Sequence, residues 1–104
     1  MTATTAPTLD RQEFTAAIQT LPPDAVAGDA SACGDCPLAR WLRQATGQDW
    51  LVTLTTCFLA VEEPADFRPL PEWAVAFVAV LRQRHGWGAV TAGQALRVLT
   101  EVAL

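Results

Sequence analysis

Three cysteines and one histidine are the side chains of this sequence with the widest chemical reach. Cys33 and Cys36 bracket Gly34-Asp35 in a CxxC that runs straight into Pro37, while Cys57 and His85 stand far from them. In number and type, Cys33, Cys36, Cys57 and His85 make one set of thiolates and an imidazole suited to tetrahedral Zn²⁺. Only one CxxC knuckle is present, so spacing alone does not bring Cys57 and His85 to it. The same motif at a helix N-terminus would instead gain thiolate character from the helix dipole and the free amides, which is redox chemistry. The carboxylate of Asp35 inside the motif opposes that. A third reading is structural. Cys36 caps or packs at the helix start, Cys57 fills a strand position as a small apolar residue, and His85 faces solvent at a helix C-terminus, where positive charge is favoured. The expectation is a chain without a cofactor, with zinc as the alternative.

The CxxC locally resembles that of thioredoxin-like proteins. The resemblance covers five residues and implies a strand feeding directly into the motif, which residues 24–32 do not read as. Other catalytic signals are weak. Ser31 is the one serine and has no nucleophile-elbow context. No Gly-rich loop follows a strand to hold phosphate. Glu62, Glu63 and Asp66 read as a solvated acidic loop, since nothing beside them would raise a carboxyl pKa for acid–base work.

Composition narrows the classes further. The formal charge is −4, and all seven basic residues are Arg, scattered at positions 11, 40, 43, 68, 82, 84 and 97. Neutralising phosphates needs clustered cations, so nucleic-acid binding is disfavoured. A helix-turn-helix over the last two helices fails similarly, because the final helix offers Gln94 and Arg97 with Glu101 against them. With 51% hydrophobic and 17% charged residues, the 104-residue chain can build a core. It fits one domain over residues 9–104 behind a flexible polar tail at 1–8. The first eight residues lack the basic and apolar regions of a signal peptide, and no apolar run reaches the ~18 residues of a membrane span. A cytoplasmic, non-membrane protein is expected.

The elements that would position these residues follow from periodicity and caps. Asp10 with Glu13 is a capping-box pattern, and Phe14, Ala17, Ile18 and Leu21 repeat at helical spacing until Pro22-Pro23. Residues 22–35 read as a loop. A second helix starts at Cys36 with Pro37 at its first turn. It buries Leu38, Trp41, Leu42 and Ala45 and stops at Gly47. Residues 50–61 are rich in Val, Thr, Trp and Phe, with Trp50, Val52, Leu54 and Phe58 on one face. Lacking Gly, Asn or Pro for a tight turn, they read as one long strand. After an irregular linker over 62–70, Pro71 opens a third helix. Trp73, Ala76, Phe77, Val80 and Leu81 line its inner face, with Val75 and Val78 off it. That helix is apolar over more than half its circumference and belongs at the centre or at an interface. Thr91 with Gln94 is a second capping box, and Ala95, Val98, Leu99 and Val102 carry the last helix.

A lone strand needs a partner for its backbone groups. A short hidden strand near Val26 or Ala89-Val90, a second copy, or a peptide strand would each supply one. Trp41, Trp50 and Trp73 fall on apolar faces, whereas Trp87 lies between two glycines and suits an interface. Trp50 and Phe58 of the strand are the other interface candidates. The sequence therefore predicts a small α/β (α+β) domain, ordered α-α-β-α-α, with helices around a minimal sheet completed by dimerisation. Its expected role is that of a small acidic, non-enzymatic protein-interaction module, an accessory or inhibitor-type protein. The partner is another protein or a second copy of the chain. The alternative is a zinc- or thiol-dependent protein using Cys33 and Cys36.

Overall fold

The computed structural model describes residues 9–30, 34–61, 67–86 and 88–102. Among the described residues the helices are α1 (Arg11–Gln19), α2 (Pro37–Thr46), α3 (Glu72–His85) and α4 (Ala92–Glu101). The short strands described between them are β1 (Val26–Asp29), β2 (Trp50–Val52), β3 (Thr56–Leu59), β4 (Arg68–Pro69) and β5 (Ala89–Thr91). The molecule is a small mixed α/β domain with a modest sheet content. In place of the expected order α-α-β-α-α, the described elements run α-β-α-β-β-β-α-β-α. The tail over 1–8 and the acidic cluster Glu62, Glu63 and Asp66 lie outside the described residues.

The caps act as their chemistry requires. The first amides of a helix have no intrahelical acceptor, and a side-chain oxygen just upstream supplies one. Asp10 Oδ1 accepts from the amides of Gln12 at 2.7 Å and Glu13 at 3.1 Å. At α4 the box is closed on both sides. Gln94 N–H donates to Thr91 Oγ1 at 3.2 Å, and Thr91 N–H donates to Gln94 Oε1 at 2.9 Å. Gly47 ends α2 in the left-handed region, with φ +74°. Pro71 is the N-cap of α3 rather than its first helical residue.

Residues 50–61 are a hairpin, not one strand. β2 and β3 pair antiparallel, with Trp50 opposite Leu59, Leu51 opposite Phe58, and Val52 opposite Cys57. The turn at Thr53–Thr55 is built by a hydroxyl instead of a glycine. Thr53 Oγ1 accepts from the amides of Thr56 at 2.9 Å and Thr55 at 3.2 Å, and lies 2.7 Å from Thr56 Oγ1. Such side-chain turns replace the backbone freedom of Gly or Asn. The three-residue turn shifts the alternation. Trp50 and Val52 face the core together with Cys57 and Leu59, and Phe58 faces the other way. β4, inside the expected linker, adds to the far edge of β3, with Thr56 opposite Pro69 and Cys57 opposite Arg68. A proline is tolerated there because the strand is at the sheet edge.

β3 thus finds neighbours on both sides within one chain, and no second copy is needed to complete its sheet. β1 and β5 do exist near Val26 and Ala89-Val90, but they pair with each other, Val26 opposite Thr91 and Gly28 opposite Val90. Residues 24–32 therefore contain a strand just ahead of the CxxC, in a two-stranded antiparallel ribbon.

The core gathers around Phe14, whose ring centroid lies 5.2 Å from Trp41, 5.6 Å from Trp73 and 5.2 Å from Phe77. Leu38, Leu42, Val52, Leu81, Val90 and Val98 close around it. Two faces are rotated from expectation. In α2, Ala39 is buried and Ala45 is exposed. In α3, Ala74, Phe77, Val78 and Leu81 are buried, while Trp73, Ala76 and Val80 are only half-buried. A helix apolar on every side does not announce which side is inner.

Candidate functional site

Gly34, Asp35 and Cys36 of the CxxC lie where β1 meets α2. Cys36 is the N-cap of α2, in extended conformation, and its Sγ accepts a hydrogen bond from the amide of Ala39 at 3.4 Å. It takes the place Ser or Asp usually fills, with a weaker acceptor. Pro37 follows at the first helical position, where its missing N–H costs nothing. The amide of Asp29 donates to the carbonyl of Asp35 at 2.8 Å, tying the motif to β1. Gly28 makes that approach possible. A Cβ there would come within 2.5 Å of Pro37 N, 2.6 Å of Asp35 O and 2.7 Å of Cys36 C.

Asp35 is held by the helix it precedes. Arg40 grips its carboxylate with two parallel bonds, Nε to Oδ1 at 2.8 Å and Nη2 to Oδ2 at 3.1 Å, and Arg43 adds a contact at 3.8 Å. Arg40 also reaches the carbonyl of Val26 through Nη1 at 3.4 Å. The hydrogen bond from Arg40 holds the Asp35 carboxyl below its ordinary range, and the same bond raises Arg40. The negative charge that the sequence sets against a thiolate is thus already paired. Arg40 and Arg43, two of the seven scattered arginines of the sequence, thus converge on one carboxylate. The signal that would have found this clamp is an acid just ahead of a helix N-cap, with Arg on the second turn.

Cys33 lies outside the described residues, as does Trp87. Cys57 sits on the core face of β3, 1% exposed, and burial pushes its thiol up while Arg68 pulls it the other way. A protonated, enclosed thiol is neither a ready ligand nor a nucleophile. His85 is half-buried in the last turn of α3. Among the described residues no group of three or more His, Cys, Asp or Glu side chains is placed to hold a metal, so Cys36, Cys57 and His85 do not come together as one.

Trp50 is not a surface residue. It is 1% exposed, its indole N–H donates to Thr46 Oγ1 at 2.9 Å, and the Arg68 guanidinium lies 5.1 Å over its ring. As an interface contact it is corrected to a core residue, because the hairpin turn puts it and Phe58 on opposite faces.

Phe58 does face outward. Its ring packs at a tilt of 57° against Phe67 with centroids 4.8 Å apart, and Leu51 stands opposite Phe58 on β2. These three form an apolar stripe across the outer face of β2, β3 and the approach to β4. Phe67 is 59% exposed, and Leu54 at the hairpin turn is 51% exposed. Val61, just past β3, is more exposed still. The stripe borders the CxxC turn, since a Cβ on Gly34 would lie 3.1 Å from Leu51 Cδ2. Phe58 was among the expected interface residues; Phe67, in the segment expected to be a linker, was not. No helix among the described residues is long and apolar enough to cross a membrane. No family model, no curated protein and no solved structure matches this chain.

Proposed function

We propose that this chain is a small acidic, non-enzymatic protein-binding module of accessory or inhibitor type, and that it docks its partner on the outer face of β2, β3 and β4. The observation that carries this reading is the tilted Phe58–Phe67 contact, of which Phe67, just ahead of β4, remains 59% exposed. Burying a large apolar side chain is worth about 2 kcal/mol, so a Phe left in water represents binding energy not yet realised. Leu51, opposite Phe58 on β2, extends the same apolar area, and contiguous patches of that kind mark interaction surfaces more often than chance. With a net charge of −4, the chain favours a partner whose own apolar patch carries a basic rim. The zinc- or thiol-dependent reading has no comparable support among the described residues.

The test is a comparison of Phe67→Ser with wild type for partner binding. Because Phe67 is exposed, the variant retains its fold, which circular dichroism checks. The reading expects affinity to fall at least tenfold, the size of loss seen when an aromatic hot spot is truncated. A partner that binds both proteins equally would show that this face is not the docking surface.

A further inference from the structure

We infer that the cleft between α1, β1 and α2 binds a small, uncharged aromatic molecule carrying a hydrogen-bond acceptor, the class to which phenol belongs. The cleft follows from helix periodicity. Pro37, Arg40, Trp41 and Gln44 stand at i, i+3, i+4 and i+7 of α2 and share one side of it. Ala17, Ile18 and Leu21, at the end of α1, line the same space of about 150 Å³ together with Val26 of β1. A cavity of roughly 150 Å³ holds one benzene-sized ring. Val26 is 48% exposed, so a ring seated here covers apolar surface that the fold leaves in water.

Trp41 supplies the polar handle. A buried indole N–H ordinarily finds an acceptor. Trp50 donates to Thr46 Oγ1 at 2.9 Å, and Trp73 donates to the carbonyl of Leu9 at 3.2 Å. Trp41 is 9% exposed, and its N–H has no acceptor among the described residues. That N–H is not among the enclosed polar atoms either, so a ligand oxygen can reach it. Phe14, fully buried, packs against the Trp41 ring with centroids 5.2 Å apart, and the cleft is the open space that the ring borders.

Arg40 decides the charge of the ligand. Its guanidinium already holds Asp35 through two bonds and reaches the carbonyl of Val26 through a third, and the charge of Asp29 acts on it as well. A carboxylate in the cleft would compete with Asp35 for Arg40 and be repelled by both Asp side chains. A neutral ring with one oxygen meets neither penalty. The cleft uses no residue of the Phe58–Phe67 stripe and does not rest on that stripe's role.

Titration of the isotope-labelled full chain with phenol, followed by NMR on the indole N–H signals and on the amide of Ala27, tests this. The indole signal missing from Trp41→Phe identifies Trp41. A ligand of about seven heavy atoms reaches a Kd of about 1 mM in such a site. Phenol should saturate at that level and move the Trp41 indole signal. Toluene has the same shape without the oxygen and should bind about fivefold more weakly. Benzoate should also bind more weakly than phenol. Trp41→Phe keeps an aromatic ring beside Phe14, so phenol should fall to the level of toluene there, with toluene unchanged. Ala17→Leu puts a strong helix former in α1 and fills the cleft, so it should weaken both ligands at least tenfold, with the fold checked by circular dichroism. No saturable shift with phenol would overturn the inference. So would phenol binding no better than toluene, benzoate binding more tightly than phenol, or affinity that survives Ala17→Leu. N-acetyl-tyrosinamide binding tenfold more tightly than phenol would assign the cleft to a tyrosine of a partner protein and overturn it too.

Discussion

A methyl group on Gly28 would meet three backbone atoms of the Asp35–Pro37 segment at once, and backbone cannot swing aside as a side-chain tip does. Overpacking of that kind costs about 2 kcal/mol or more. Gly28→Ala should therefore lower the melting temperature by roughly 10 °C in a thermal scan, given the 4–8 °C per kcal/mol of a domain this size. An unchanged melt would mean that the CxxC segment is not clamped to β1. Asp35 gives a pH-dependent test. Its carboxyl is depressed in the folded state, mainly by the hydrogen bond from Arg40. Its stabilising contribution is therefore present above the ordinary Asp value of about 4 and is lost as pH falls through the lower folded value. Both side chains are roughly two-fifths exposed, so solvent screening keeps the effect under about 1 kcal/mol. Asp35→Asn should melt slightly below wild type from pH 7 down to about pH 5, and the gap should close below about pH 4. A gap that widened in acid would reverse the assignment.

At the scale of elements, the helices and their caps were legible because each rests on local chemistry. Asp10, Pro37, Gly47 and the Thr91/Gln94 box all act within one turn of where they stand. The strands were less so. β1 holds four residues, and the glycine that makes it a poor strand by composition is the residue that lets the CxxC backbone pass. The hairpin was hidden because Thr53 does with a hydroxyl what Gly or Asn does with backbone freedom. That single turn put Cys57 on the same face as Trp50 and Phe58 on the other, so Trp50 and Phe58, expected on one face, lie on opposite ones. Thr53→Val keeps the β-branched shape and removes the acceptor. It should cost about 1–2 kcal/mol in urea denaturation, while Thr53→Ser should recover most of it. Equal losses in both would point to packing of the methyl rather than to the hydroxyl-built turn.

For the whole molecule, the separation of apolar surfaces is what connects fold to role. The inner faces of α1, α2, α3 and α4 close on Phe14 and its neighbours, while the outer sheet face keeps Phe58 and Phe67 towards solvent. The candidate ligands of the sequence are divided by the same packing, with Cys36 serving as a cap and Cys57 enclosed beneath the sheet. The proposed binding surface rests on negative charge and an aromatic pair of which Phe67 is exposed, and its sequence trace is faint, because Phe67 precedes a two-residue strand that no pattern announces. The most direct test is site-specific photo-crosslinking in the cells that encode this chain, with the photoreactive residue at position 67 and, as a control, at the exposed Gln44 of α2. A discrete adduct with another protein at position 67, absent at position 44, is the outcome expected of a sheet-face binding module. No adduct at 67, or the same adducts at both positions, would contradict it.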